Sequence, residues 1–154
     1  MGFHASWTHG NATIVQDPDR LVHPPIYYGY GGEMLLQSGK DTWFHIPIPT
    51  PVMDDQGRTK LLRVFILAQT DTYGLVRGIH VWDGAHVIQT FDNAGMRGDH
   101  RTVPDAANTF NLTSPYTVHF GIGVSFRCFA EKGLDVNDPP SLFRVAGAGG
   151  DFTT

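Results

Sequence analysis

From Val118 to Ala130 every second residue is apolar: Val118, Phe120, Ile122, Val124, Phe126, Cys128 and Ala130. The residues between them, Thr117, His119, Gly121, Gly123, Ser125 and Arg127, are small or polar, with Phe129 the exception. Successive side chains of a β-strand point to opposite faces, so the pattern predicts one long strand, Thr117 to Ala130, with one face buried. A helix would spread the same row around its circumference. On the other face two glycines leave the backbone open to close approach by a sheet, a loop or a ligand.

The rest of the chain reads as shorter extended segments. Phe3, Ala5 and Trp7 share a face before Gly10-Asn11, and Ala12 to Gln16 is a second short segment closed by Asp17-Pro18-Asp19. Ile26 to Gly32 mixes aromatic rings with glycine, the composition of an irregular edge packed by its rings. Glu33 to Leu36 fits a helical turn or a strand. In Trp43 to Val52, prolines at 47, 49 and 51 remove alternate backbone donors, which predicts an extended edge strand able to pair on one side only. Leu61 to Gln69 and Leu75 to Trp82 are strand-like, with Asp71 to Gly74 as the expected hairpin between them. Asp83-Gly84 marks a two-residue turn with Ala85 to Phe91 returning. Asp92 to Pro104 reads as loop and Thr109 to Leu112 as a short strand.

Seven to nine strands without an amphipathic helix predict an all-β fold, an antiparallel β-sandwich of jelly-roll-like type or a barrel, over residues 1–130. Residues 131–154 break the periodicity. Asp138-Pro139-Pro140 and Ala146-Gly147-Ala148-Gly149-Gly150 read as a Pro/Gly-rich C-terminal arm. Ordering such a segment costs roughly 1–2 kcal/mol per residue, and more for glycine, so it must dock either on its own sandwich or on a neighbouring subunit.

Composition narrows the partners. A chain of 154 residues with 41% hydrophobic and 17% charged residues fits one domain with its own core. Net charge is −4 and the basic residues are scattered, which argues against nucleic acid. Nothing approaches the roughly 20 apolar residues of a membrane-spanning helix. The single Cys128 sits in the apolar row and is expected buried and inert. Met1-Gly2-Phe3-His4 lacks the charged and apolar runs of a secretory signal, so the expected location is cytoplasmic, with leaderless export left open.

Chemistry is not announced by any motif. Eight histidines are present, but no His-x-His and no Cys pair. His80, His86 and His119 are the three that neighbouring strands would bring together around a metal; the expectation is nevertheless no metal and no cofactor. Acid–base catalysis would draw on His80, Asp99 and His119. Ser125 lacks both a nucleophile elbow and a base that the sequence identifies. Trp82, opposite in face to Ile79 and Val81, together with Tyr28 and Tyr30, offers flat amphipathic rings for a carbohydrate or another small ligand. Trp7 and Trp43 are expected in the core or covering a sheet.

His4-Ala5-Ser6-Trp7-Thr8-His9-Gly10, Trp43-Phe44-His45-Ile46-Pro47-Ile48-Pro49-Thr50-Pro51-Val52, Ile79-His80-Val81-Trp82-Asp83-Gly84 and Phe120-Gly121-Ile122-Gly123-Val124-Ser125 resemble a group of small microbial proteins filed as a domain of unknown function. The resemblance spans roughly residues 4–130 and omits the tail. It implies a compact single domain and carries no site residue. The leading functional expectation is a non-catalytic module that self-associates as a homo-oligomer through its C-terminal arm. A carbohydrate-binding module and a small His/Asp-dependent lyase, isomerase or hydrolase are the alternatives.

Overall fold

A computed structural model describes residues 3–132 and 137–154. Met1-Gly2 and Gly133, the latter in the expected start of the arm, lie outside them. The strands are β1 (Phe3–His9), β2 (Ile14–Val15), β3 (Ile26–Tyr28), β4 (Gly31–Leu36), β5 (Asp41–Pro47), β6 (Met53–Asp54), β7 (Gly57–Arg58), β8 (Lys60–Thr70), β9 (Gly74–Asp83), β10 (His86–Phe91), β11 (Thr109–Thr117), β12 (Ile122–Ala130) and β13 (Ser141–Thr153). They form two antiparallel sheets, β11-β8-β13-β4-β3 with β1 also on β13, and β10-β9-β12-β5-β2. β6 and β7 make a separate small ribbon. The fold is therefore a sandwich rather than a barrel. No helix among the described residues is long and apolar enough to cross a membrane.

The period-two rows face each other across the sandwich. From the five-stranded sheet come Phe44, Ile46, Ile79, Val81, Val124, Phe126 and Cys128; from the other come Met34, Leu36, Val64, Ile66, Phe143 and Val145. Phe44 joins the two layers, meeting Phe126 edge-on at 5.5 Å and Phe143 at 6.0 Å between ring centroids. Interlocked aromatic edges of this kind add to the area they bury.

Several expectations are corrected. The long strand is broken: β11 ends at Thr117, β12 begins at Ile122, and Phe120 is 78% exposed although it belongs to the apolar row. The cause is Asp83, whose buried carboxylate draws the amides of His119, Phe120 and Gly121 into a turn. Leu61 to Gln69 and Leu75 to Trp82 do not form a hairpin, since β8 and β9 belong to different sheets and Asp71 to Gly74 carries the chain between them. Glu33 to Leu36 is strand. The proline-rich strand is not the edge, because β2 pairs with β5 through Ile14–His45 and Val15–Phe44. Beyond β5, Ile48 N still donates to Ile122 O of β12 at 2.9 Å, while β1 reaches the proline carbonyls with side chains: Thr8 Oγ1 donates to Pro47 O at 2.6 Å and Ser6 Oγ to Pro49 O.

The largest correction concerns residues 131–154. Ser141–Thr153 is the longest strand and lies inside the six-stranded sheet, against β8 on one side and β4 and then β1 on the other. It is not an arm, and the boundary at residue 130 cuts through the core. Its glycines are steric requirements. A Cβ at Gly149 would lie 2.5 Å from the Trp7 ring, and one at Gly147 the same distance from Thr8 O. Removing those side chains lets β1 pair closely and lets Trp7 lie over Gly149 onto Phe65, stacked at 5.3 Å. Ladder bonds and apolar burial within the chain's own sheet thus offset the ordering cost of the tail.

Candidate functional site

The outer face of the five-stranded sheet carries the site. Inward positions of β5, β12 and β9 are taken by the core row, so alternation sends Trp43, His45 and Pro47, Gly123 and Ser125, and His80 and Trp82 outward. Register then aligns them. Ser125 lies between His45 and His80, and Gly123 between Pro47 and Trp82. Gly123 has open space where a Cβ would be, so it forms the floor of a groove between Trp82 and Pro47. A hollow of about 390 Å³ here is lined by Ile14, His45, Pro47, Trp82, Gly123 and Ser125, among others. A second of about 310 Å³ adds Gln16, Trp43 and His80 and shares His45, Trp82 and Ser125 with the first. Together they make one trough of the size usual for small-molecule sites.

Its polar centre is a hydrogen-bonded chain. His45 Nδ1 is 2.6 Å from Ser125 Oγ, and His45 Nε2 is 2.9 Å from Gln16 Oε1. Burial pushes the His45 pKa down, and the nearby Asp17 carboxylate only partly opposes this, so the ring is held toward its neutral form. Gln16 Oε1 can only accept, which places the imidazole proton on Nε2 and leaves Nδ1 to accept from Ser125. The Ser125 hydrogen is therefore committed to His45, and Ser125, 5% exposed, sits in the lining of the trough. On the other side of Ser125, the His80 ring packs on Trp43 at 4.5 Å and lies 6.3 Å from Trp82, with Asp92 Oδ1 at 3.6 Å from its Nε2.

The sequence candidates are distributed as follows. Trp82 is in the trough. Tyr28 and Tyr30 stack on each other at 5.7 Å at the edge of the opposite sheet, so the predicted three-ring site is not assembled. Tyr30 Oη donates to Glu33 Oε1 at 2.5 Å, and Glu33 accepts from Arg144 at 2.7 Å. Asp99 bridges to Gln69 in that same sheet and holds Arg101 through two contacts of 2.9 Å. It is remote from His80 in the fold, so the His80–Asp99–His119 grouping is not formed. His119 and His86 lie at one end of the sandwich, each 6.2 Å from the Tyr116 ring. His86 is the cross-strand partner of inward-facing Asp83, whereas His80 faces outward, so the three histidines do not surround one point. No cluster of three or more metal-ligating side chains exists among the described residues.

The sequence reading missed His45, Gln16 and Trp43 as site residues, and Ser125 as their partner. Alternation alone places Trp43 and His45 on the face opposite Phe44 and Ile46. The meeting of His45 with Ser125, 80 positions away, depends on strand pairing.

With the geometry in place, the relatives can be compared. A sequence profile for a family of unknown function matches residues 1–151. The chain belongs to that family, DUF6623. The match runs into β13 as far as residue 151, so most of the tail left out of the sequence resemblance is part of the family domain. No curated protein matches the chain. Solved structures similar to this member of the family include the following three. A cyclase from Fischerella sp. TAU is 11% identical, with 94% of this chain and 87% of that one covered and a TM-score of 0.41. An exo-beta-1,3-galactanase from Phanerochaete chrysosporium, solved with galactose, is 7% identical at a TM-score of 0.39; 96% of this chain is covered but only 29% of the galactanase. CBM35 from Paenibacillus barcinonensis is 11% identical, with coverage of 92% and 94% and a TM-score of 0.38.

Proposed function

We propose that this DUF6623 protein binds carbohydrate in the trough on the outer face of its five-stranded sheet. The observation that carries the reading is the glycine floor at Gly123, set between Trp82 and Pro47 in a trough that Ser125 also lines. A sugar ring presents an apolar C–H face and a rim of hydroxyls. The first suits an indole face, and the second suits a fixed acceptor such as Ser125 Oγ beside the amide of Gln16.

The short Ser125–His45 contact is the feature that favours a hydrolase instead. Two other features favour binding. Gln16, not a carboxylate, stands behind His45. Ser125 also lies mid-strand, between β5 and β9, where the backbone amides are committed to ladders rather than aimed at a developing oxyanion. Self-association through the C-terminal segment is not needed to explain the order of Ser141–Thr153, which pair within the chain's own sheet.

The test is a glycan array followed by calorimetric titration of the hits against the wild type, Trp82→Ala and Gly123→Leu. Gly123→Leu places a side chain in open space, so it is expected to leave the fold intact while filling the trough. Loss of binding in both variants supports the reading. An array without hits, or hits that survive Gly123→Leu unchanged, sinks it.

A further inference from the structure

Asp83 accounts for Phe120 leaving its apolar row, but not for an apolar ring standing at that position. Burying a phenylalanine away from water is favourable, yet this ring is 78% exposed. Nor is its segment loosely held. Asp83 accepts from the amides of His119, Phe120 and Gly121 at 2.8, 2.9 and 3.0 Å, Gly84 N donates to Gly121 O at 2.8 Å, and Arg58 Nη1 donates to Val118 O at 3.2 Å. The ring lies beside Gly84, where an added Cβ would be 3.4 Å from it. Gly84 is itself part of the trough lining. A firmly anchored, water-facing ring thus begins where the trough ends.

The position along the sheet gives this meaning. His80, with Trp43 packed on it, then Trp82 and then Gly84 with Phe120 follow one another at alternate positions of β9 and its turn. His80 and Trp82 are set about 6.6 Å apart by the strand rise of about 3.3 Å per residue, and the Phe120 ring beside Gly84 lies past the end of the strand. The rings therefore follow one another along the trough, with Ser125 beside His80 and the Gly123 floor beside Trp82. One sugar unit uses one ring; a chain of sugars uses the series.

We propose that the trough takes an oligosaccharide chain rather than a single sugar, with Phe120 as its outermost ring platform. The proposal rests on the carbohydrate reading and adds the ligand's length and a residue to it. Because the Phe120 backbone is already fixed, little ordering cost offsets what the ring contributes on contact.

Calorimetric titration with gluco-, xylo-, manno- and galacto-oligosaccharides of one to six units tests it on wild type, Phe120→Ala, Phe120→Trp and Trp82→Ala. For the series that binds, affinity should rise by about tenfold between one unit and four. Phe120→Ala should erase that rise and leave the single sugar unaffected; Phe120→Trp should keep it; Trp82→Ala should weaken every length. Thermal unfolding of Phe120→Ala should match the wild type, since the ring is exposed. Equal affinity for one and four units, or a Phe120→Ala variant that binds every length as the wild type does, overturns the proposal and leaves the carbohydrate reading standing. Absence of binding at any length in all four series overturns both.

Discussion

Replacing Asp83 by Asn keeps the size of the side chain and the turn-forming character of the position before Gly84, and removes only the charge and one acceptor. In the native protein Oδ1 accepts from the Phe120 and Gly121 amides and Oδ2 from the His119 amide. An asparagine oxygen can keep the first two bonds as neutral ones, but its NH₂ then faces the His119 N–H, donor against donor. Hydrogen bonds to charged groups contribute about 1.5–3 kcal/mol and neutral ones about 1 kcal/mol. One bond lost and two weakened, at an exposed turn where water can reach the freed amide, give a destabilisation of roughly 2–3 kcal/mol at neutral pH. For a chain of this size that lowers Tm by roughly 4–12 °C.

Acid should narrow the difference. Burial by itself would raise the Asp83 pKa, but the three backbone amides and the Tyr116 hydroxyl outweigh it and hold the carboxyl below its ordinary value. A carboxylate with a lowered folded pKa stabilises fully above the unfolded value of about 3.9, and the contribution fades as pH falls through the folded value. Urea unfolding of wild type and Asp83→Asn should therefore show a constant gap between pH 8 and 5 that closes below about pH 4. A gap under about 0.5 kcal/mol at pH 7, within the range of an ordinary surface substitution, would refute this account of the turn, as would a gap that widens on acidification.

Gly10→Ala should cost about 3 kcal/mol or more, since the added Cβ would lie 1.8 Å from Val145 O in the middle of a sheet; chemical denaturation measures it. Ending the chain at Ala130 removes the strand between β8 and β4, and the product should show no cooperative urea transition and no near-ultraviolet circular dichroism. Cys128 is fully buried, which pushes its thiol pKa well up, so a chromogenic disulfide reagent should fail to modify it until urea unfolds the protein.

The layers of the sandwich, the outward face of Trp82, the Asp83-Gly84 turn and the open backbone at Gly123 were all readable along the chain. Each follows from alternation or from a backbone conformation, such as the φ of +57° at Gly84, that a residue and its immediate neighbours specify. Phe120 shows the limit of the periodic argument, because three amide hydrogen bonds donated to the Asp83 carboxylate outweighed its place in an apolar row. The alternation of Phe143 and Val145 with Leu142 and Arg144 was present in the tail as well, but the glycines after it carry no side chain to extend the pattern. Their role is the space they leave for β1 and Trp7.

Which face a side chain takes is a local property of the strand, and the sequence by itself determined it for most of this protein. Which strands become neighbours is decided by contacts between residues far apart in the chain. Only the tertiary structure could set His45 against Ser125, carry Tyr28 and Tyr30 to a different sheet from Trp82, and place the glycine-rich end at the centre of a layer.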